Sequence, residues 1–118
     1  MALELDIVDS RGVKLVFCRG RLSIGPDVEY FKNKVSALLT GSPSVVLDFK
    51  HLEHIDSTGI GAMVELQNKA HAEGGDVRLA SITNSHIRKV LEMTKMTSVF
   101  QMFEDERQAA SSFTKPGT

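Results

Sequence analysis

The feature that most constrains the fold is a strand–helix–strand unit that occupies residues 44–80. Residues 45–49 form an apolar run broken only by Asp48, which is too short for a helix and rich in β-branched side chains, and therefore predicts a strand buried on both faces. A helical pattern then runs to a Gly-Gly pair at residues 74–75, and a second short strand is predicted at residues 77–80. Because a helix joins the two strands, we expect them to lie parallel, connected by a right-handed crossover.

The start of this helix is predicted at Asp56 and Ser57, two residues of the types that cap helix N-termini. Ser57 would therefore lie in the first turn, where unpaired backbone N–H groups and partial positive charge favour an anion. A serine in this position can carry a phosphate at little cost to its own fold. The same phosphate against a close-packed protein partner would cost about 3 kcal/mol, a hundredfold in affinity, which is enough for a switch. The simpler alternative is that Ser57 only caps the helix.

The N-terminal part of the chain predicts a hairpin followed by a helix. Alternating apolar and acidic residues at positions 3–7 indicate a half-buried strand, and a turn at residues 10–12 leads into a second strand at residues 13–17. A turn this short makes an antiparallel pairing the expected arrangement. After a loop at residues 22–26, Asp27 is the predicted N-cap of a helix. The apolar side of that helix is expected to consist of Val28, Phe31, Val35, Leu38 and Leu39.

The part of the chain beyond residue 80 predicts two more helices and an edge strand. Asn84 and Ser85 are the expected cap of the first of these helices. A last edge strand is predicted within residues 99–103, and a terminal helix at residues 104–112. The side chains expected to pack from the first of these helices are Ile87, Val90, Leu91 and Met93.

Together these elements predict a single α/β domain with a mixed sheet of four or five strands and about four helices packed mainly on one face. A length of 118 residues suffices for one hydrophobic core and leaves no room for a separate catalytic module. We expect the domain to occupy residues 1–113, and residues 114–118 to form a flexible C-terminal tail.

The charge and the cysteine content argue against several classes of function. The net charge of −1, with basic and acidic residues scattered, gives no electrostatic footprint for nucleic acid or for an anionic membrane. A single cysteine, Cys18, excludes a disulfide framework and a four-cysteine metal site, and indicates a reducing compartment. No apolar stretch approaches the length of a membrane span, and the first residues lack the pattern of a signal peptide, so we expect a cytoplasmic protein.

Short motifs follow one another along nearly the whole chain in a recognisable order. The central one, with Asp-Ser-Thr-Gly at residues 56–59, is fairly specific, whereas the outer motifs carry little weight singly. The stretches concerned are residues 17–22, 45–48, 55–61, 74–75, 84–85, 91–96 and 100–103. In this order they resemble the STAS domain of anti-sigma-factor antagonists.

The resemblance implies regulation by partner switching, with Ser57 as the phosphate acceptor. In that scheme the unphosphorylated protein binds an anti-sigma factor that is also an ATP-dependent serine kinase, and so releases the sigma factor that the kinase holds. Phosphorylation of Ser57 by the bound kinase ends the complex, and a metal-dependent phosphatase of the PP2C type resets the protein. ATP and metal then belong to the partners, so the chain itself would be a binding module without catalysis and without a cofactor.

The resemblance also implies a partner-binding surface around the acceptor serine. Asp56 would position the acceptor or contact the kinase. Thr58 and Gly59 would present the acceptor, while Ile60 and Met63 would belong partly to the docking surface.

The loop at residues 20–26 departs from the family pattern, in which many members continue Gly-x-Leu with Asp. Here Ser23 follows Leu22, and Gly25-Pro26 replaces a more usual small-residue helix start, in a loop that the family uses for its partner. The main alternative function is a non-catalytic STAS scaffold or sensor module of a larger signalling assembly, or the accessory subunit of a transporter.

Two further chemistries fit less well. A hydrolase would use the acceptor serine as nucleophile with His51, His54 or His86 as base, but the first glycine of the Gly-x-Ser-x-Gly elbow is missing and the connection from the strand is long. A metal site would use His51 and His54, with Asp48 and Asp56 nearby, but these histidines are expected in a loop and not on one face of a helix.

Overall fold

The structure, a computed structural model, describes residues 2–114, which form a five-stranded sheet and four α-helices. The elements are β1 (Glu4–Ser10), β2 (Val13–Leu22), α1 (Pro26–Gly41), β3 (Ser44–Ile55), α2 (Ser57–Ala72), β4 (Asp76–Ala80), α3 (Ser85–Met93), a 3-10 turn (Met96–Ser98), β5 (Met102–Phe103) and α4 (Glu106–Thr114). The strands lie in the order β1-β2-β3-β4-β5, with β1 antiparallel to β2 and every other pair parallel. The predicted mixed α/β sheet is confirmed.

Strands β1 and β2 form the predicted hairpin, closed by a two-residue turn. Arg11 and Gly12 both have positive φ, 54° and 87°, which is what a tight turn matched to the twist of the two strands requires. The pairing runs from Glu4 opposite Arg19 to Ser10 opposite Val13.

Strand β3 is longer than predicted, and the expectation of a polar connection between residue 49 and Ile55 is wrong, because these residues belong to the strand. The second half of β3 continues to pair with the end of β2, so that Leu22 lies opposite Ile55. Two register shifts in this pairing let both strands extend past the apolar run. His51 and His54 therefore lie in a strand and not in a loop.

Hydrophobic side chains are buried on both faces of the sheet. Helices α1, α2 and α3 cover one face and enclose the larger core, whereas α4 packs against the other face through Ala109 and Phe113. Three of the four helices thus share one face, in agreement with the predicted packing mainly on one side. The buried strand residues of the larger core are Val16, Cys18, Leu22, Val45, Leu47, Phe49, Leu52, Ile55, Val77 and Leu79.

Helix α1 does not begin at the predicted N-cap, Asp27. Its N-cap is Gly25, with φ of 124° and no capping side chain, and Pro26 is the first helical residue. Proline suits this position because its missing N–H group would have no partner inside the helix. Asp27 instead lies in the first turn, where its charge complements the helix dipole.

The C-terminal part agrees with the predictions except in four respects. Met93 is largely exposed, because α3 buries Ile87 and Leu91 and a residue two positions farther points away from that face. Strand β5 has only two residues, and α4 begins at Glu106. Of the predicted tail, Thr114 is the last residue of α4 and residues 115–118 lie outside the described residues.

Candidate functional site

The candidate site lies where β3 ends and α2 begins. Asp56 has an extended conformation, with φ of −117° and ψ of −176°, between the last residue of the strand and Ser57, the first residue of the helix. The backbone N–H of Gly59 donates a hydrogen bond to Oδ1 of Asp56, with an N···O distance of 3.0 Å. Asp56 is therefore the N-cap, and Ser57 lies in the first turn, as the sequence predicted.

The hydroxyl groups at this helix start face solvent. Ser57 and Thr58 are both exposed. Among residues 2–114, no hydrogen bond engages Oγ of Ser57, so a modification there would break none. A phosphate at this position would meet the positive end of α2 from outside the packed interior.

Asp56 also binds a segment that is remote in sequence. The backbone N–H of Ile24 donates to Oδ2 of Asp56 at 2.9 Å, and the backbone N–H of Asp56 donates to the carbonyl oxygen of Leu22 at 3.3 Å. These bonds hold residues 23–25, the connection between β2 and α1, against the start of α2. The partners are 32 positions apart, and no local pattern in the sequence signals the contact.

The hydrogen bonds at Asp56 determine its charge state. Partial burial raises the pKa of this carboxyl, but the backbone N–H groups of Ile24, Gly59 and Thr58, together with the charge of nearby His54, outweigh that effect. The pKa of Asp56 consequently lies below its ordinary value. A full negative charge therefore stands next to Ser57 at neutral pH.

Three residues expected in the docking surface lie instead in or against the core. Met63 is fully buried and Ile60 is 7% exposed, and both belong to the larger hydrophobic core. Gly59 is buried, and an added Cβ would lie 2.5 Å from the carbonyl oxygen of Leu22. Met63 thus offers no surface to a partner, and Gly59 permits the close approach of the chain's own β2.

Two histidines bring the start of α3 to the end of β3. The rings of His54 and His86 are stacked, with centroids 5.3 Å apart and an interplanar angle of 11°. The sequence pattern did not predict this pair, because β3 was expected to end before His54. No hydrogen bond joins Ser57 to a histidine within residues 2–114, and in the same range no group of three or more possible metal ligands is close enough to hold an ion.

Asp48, the one charged residue in the apolar run of β3, is buried and makes two hydrogen bonds. The hydroxyl of Ser81 donates to its Oδ2 at 2.7 Å, and the backbone N–H of Lys50 donates to its Oδ1 at 3.0 Å. Ser81 has a positive φ of 62°, so this bond fixes an uncommon backbone conformation just after β4. Asp48 therefore positions the connection to α3.

Comparison with protein families matches residues 4–109 to the STAS domain. Among curated relatives, BtrV of Bordetella bronchiseptica, to which the role of anti-sigma factor antagonist is provisionally assigned, is 25% identical over 114 residues, which are 96% of this chain and 95% of the relative. In the described part of the chain no helix combines the length and the apolar character that crossing a membrane requires.

Solved structures share the fold at low sequence identity. A Thermotoga maritima protein, provisionally described as an anti-sigma factor antagonist, has a TM-score of 0.83 at 20% identity and covers 92% of both chains. The phosphorylated form of the Bacillus cell fate determinant SpoIIAA has a TM-score of 0.71 at 22% identity, over 95% of this chain and 99% of its own.

The same fold also occurs in a transporter family. A sulfate transporter family protein from Wolinella succinogenes has a TM-score of 0.69 at 16% identity, over 86% of this chain and 84% of its own. These structures establish the architecture, and the family match, which spans most of the sequence, establishes the lineage. The chain belongs to the STAS domain family.

Proposed function

We propose that this protein is an anti-sigma-factor antagonist whose binding is switched by phosphorylation of Ser57. The observation that carries the proposal is the exposed hydroxyl of Ser57 at the positive end of α2, held there by the Asp56 cap. The likeness to BtrV and to SpoIIAA, a protein whose structure is known in a phosphorylated form, supports it.

The unphosphorylated form would bind an anti-sigma factor that is also a serine kinase, and so release the sigma factor. The kinase would then transfer the γ-phosphoryl group of ATP to Oγ of Ser57. A P–O bond to the serine forms, the bond to ADP breaks, and the hydroxyl proton passes to a base of the kinase. A phosphatase of the PP2C type would hydrolyse the phosphoserine and restore the binding form.

The switch follows from charge at a small surface. A phosphoserine carries a charge of about −1.5 to −2 at neutral pH, and it would stand beside the ionised carboxylate of Asp56. The domain would tolerate this charge because Ser57 is exposed, and because both oxygens of Asp56 accept hydrogen bonds from backbone N–H groups. A partner packed over the same surface would have to desolvate both charges, which drives dissociation.

The test is phosphorylation by defined kinases. The purified protein is incubated with ATP and each histidine-kinase-like ATPase of its source organism, and the phosphate is located by mass spectrometry. We expect one such kinase to modify Ser57 and to bind the unphosphorylated form more tightly than the product. Absence of phosphate at Ser57 with every kinase, or equal affinity of both forms, would refute the proposal.

A second candidate function is a STAS module within a transporter or a larger signalling assembly. The likeness to the Wolinella succinogenes protein favours it. A stable complex with a membrane transporter, or a stable homo-oligomer that binds no kinase, would support this role over that of an antagonist.

A further inference from the structure

Ile24 is the most exposed large apolar side chain in residues 2–114, with 77% of its surface accessible to solvent. It lies in the three-residue connection between β2 and α1. Single exposed apolar residues are common on protein surfaces, so exposure alone assigns it no role. A hydrogen bond from its backbone to the side chain of Asp56 connects it to the helix start that carries Ser57.

The backbone at Ile24 is fixed on both sides. Its N–H group donates to Oδ2 of Asp56 at 2.9 Å, and the carbonyl oxygen of Leu22, two residues earlier, accepts a hydrogen bond from the N–H of Asp56. Pro26 then starts α1 and has a restricted φ. Because isoleucine is β-branched and has few rotamers, a partner that buries it would lose little conformational entropy.

One carboxylate therefore positions both Ile24 and the helix start that carries Ser57. Oδ1 of Asp56 caps α2 through Gly59, and Oδ2 holds the loop. The missing side chain of Gly59 lets the end of β2, from which the loop starts, approach α2 closely, since any Cβ there would clash with the carbonyl oxygen of Leu22. A partner that reaches Ser57 meets these two segments as one surface.

We propose that Ile24 is an apolar anchor of the docking surface and selects partners that carry an apolar pocket beside the cleft that receives Ser57. This inference rests on the proposed function and names the chemistry of the partner's surface. Asp56 acts as the positioning residue, because its Oδ2 holds the backbone of Ile24.

The first test compares Ile24→Ala with matched controls. The probe is the kinase that phosphorylates Ser57 in the experiment above. We expect Ile24→Ala to weaken binding of the unphosphorylated protein about tenfold, or about 1.4 kcal/mol, and to raise KM for phosphorylation with kcat little changed. Ile24→Val should restore most of the affinity. Met93→Ala, which removes a side chain 73% exposed at the end of α3, and Val8→Ala, 48% exposed in β1, should have no effect.

The second test separates the two hydrogen bonds of Asp56. Asp56→Asn keeps one oxygen to accept from Gly59 but turns an N–H group toward the N–H of Ile24, so only the bond to the loop is lost. Amide hydrogen exchange should become faster at Ile24 and stay unchanged at Gly59. Ile24→Ala should then cost less in the Asp56→Asn background than in the wild type, as a double-mutant cycle measures.

The outcomes distinguish the inference from the function on which it rests. If Ser57 is phosphorylated normally and Ile24→Ala binds within twofold of wild type, the anchor is refuted and the antagonist function stands. If no kinase binds or modifies the wild-type protein, both are refuted. Urea unfolding of Ile24→Ala excludes a folding defect as the cause, since the side chain makes little contact with the core.

Discussion

Helices α2 and α3 begin in the same way, yet the two starts are tied differently to the rest of the molecule. In each, an extended Asx residue caps the helix and an exposed serine follows as the first helical residue: Asp56 with Ser57, and Asn84 with Ser85. Both starts follow neighbouring parallel strands, so both lie at the same edge of the sheet. By local sequence alone, either serine is a candidate acceptor.

The difference lies in the second oxygen of the cap. Oδ1 of Asn84 accepts from the N–H groups of His86 and Ile87, at 2.8 and 3.2 Å, both in its own helix. Asp56 caps α2 with one oxygen and binds the N–H of Ile24 with the other. An amide has one acceptor oxygen where a carboxylate has two and a charge. The cap of α2 therefore joins the loop at residues 23–25 and the helix start into one composite surface. The cap of α3 binds only its own helix.

The largest expected effect separates the two serines as acceptors. Ser57→Ala should abolish phosphate transfer because it removes the acceptor hydroxyl. Ser85→Ala should leave transfer unchanged, because the kinase is proposed to dock at the start of α2 and not at the start of α3. Intact-mass measurement after incubation with the kinase and ATP reports both. Full phosphorylation of Ser57→Ala, or loss of it in Ser85→Ala, would contradict the distinction between the helix starts.

The next effect is on affinity. Phosphorylated Ser57 should bind the kinase about a hundredfold more weakly than the unmodified protein, about 3 kcal/mol, because the added charge must be desolvated beside Asp56. Ser85→Asp should change the affinity less than about threefold. Phosphorylated protein is preferable to Ser57→Asp here, since aspartate carries less charge than phosphate. Calorimetric titration of each form against the kinase gives the comparison.

A smaller effect is expected on stability. Asp56→Ala should lower the free energy of unfolding by about 2 kcal/mol, because it removes a helix cap and the bond to Ile24 together. Asn84→Ala should cost about 1 kcal/mol, since it removes a cap alone. Urea unfolding of both variants measures this. Equal losses would show that the bond to the loop contributes nothing.

The sequence correctly predicted those features of the site that depend only on residues close together in the chain. Asp56 and Ser57 start α2 and a glycine pair ends it, because capping depends on neighbouring residues. The helical periodicity of the sequence also predicts the burial of Met63, since Met63 shares the apolar side of α2 with Leu66. Its assignment to the docking surface came from the resemblance and conflicts with that periodicity.

The features that the sequence did not predict depend on contacts between distant segments. The bond from Ile24 to Asp56 and the stack of His54 on His86 each join positions about 30 residues apart. Both exist because β2 and β3 extend together past their apolar runs, each stabilising the other's polar end. The sequence of either strand alone does not indicate that the other will extend beside it. A prediction from hydrophobic periodicity therefore ends both strands too early.

The smallest expected effect concerns pH, because only one of the two caps can ionise. Although burial raises the pKa of Asp56, the N–H groups of Ile24, Gly59 and Thr58 and nearby His54 lower it below the value in the unfolded chain. A depressed native pKa adds stability above the unfolded pKa, about 3.9, and that stability is lost as the pH falls through the native pKa. The stability gap between wild type and Asp56→Asn should thus be constant from about pH 7 to pH 5 and shrink below about pH 4.

The gap between wild type and Asn84→Ala supplies the control, because an asparagine cap does not titrate, and it should stay flat over the same range. Burial raises the pKa of Asp76, but hydrogen bonds from Arg78, His71 and Gln67 outweigh that effect and lower it. Asp76 is present in all three proteins, so its contribution to stability cancels in the differences. Urea unfolding of the three proteins between pH 3 and pH 7 gives both gaps. If the Asp56 gap also stays flat to pH 3, the pKa of Asp56 is not lowered in the native protein, and the charge of this cap contributes no stability that the neutral cap of α3 lacks.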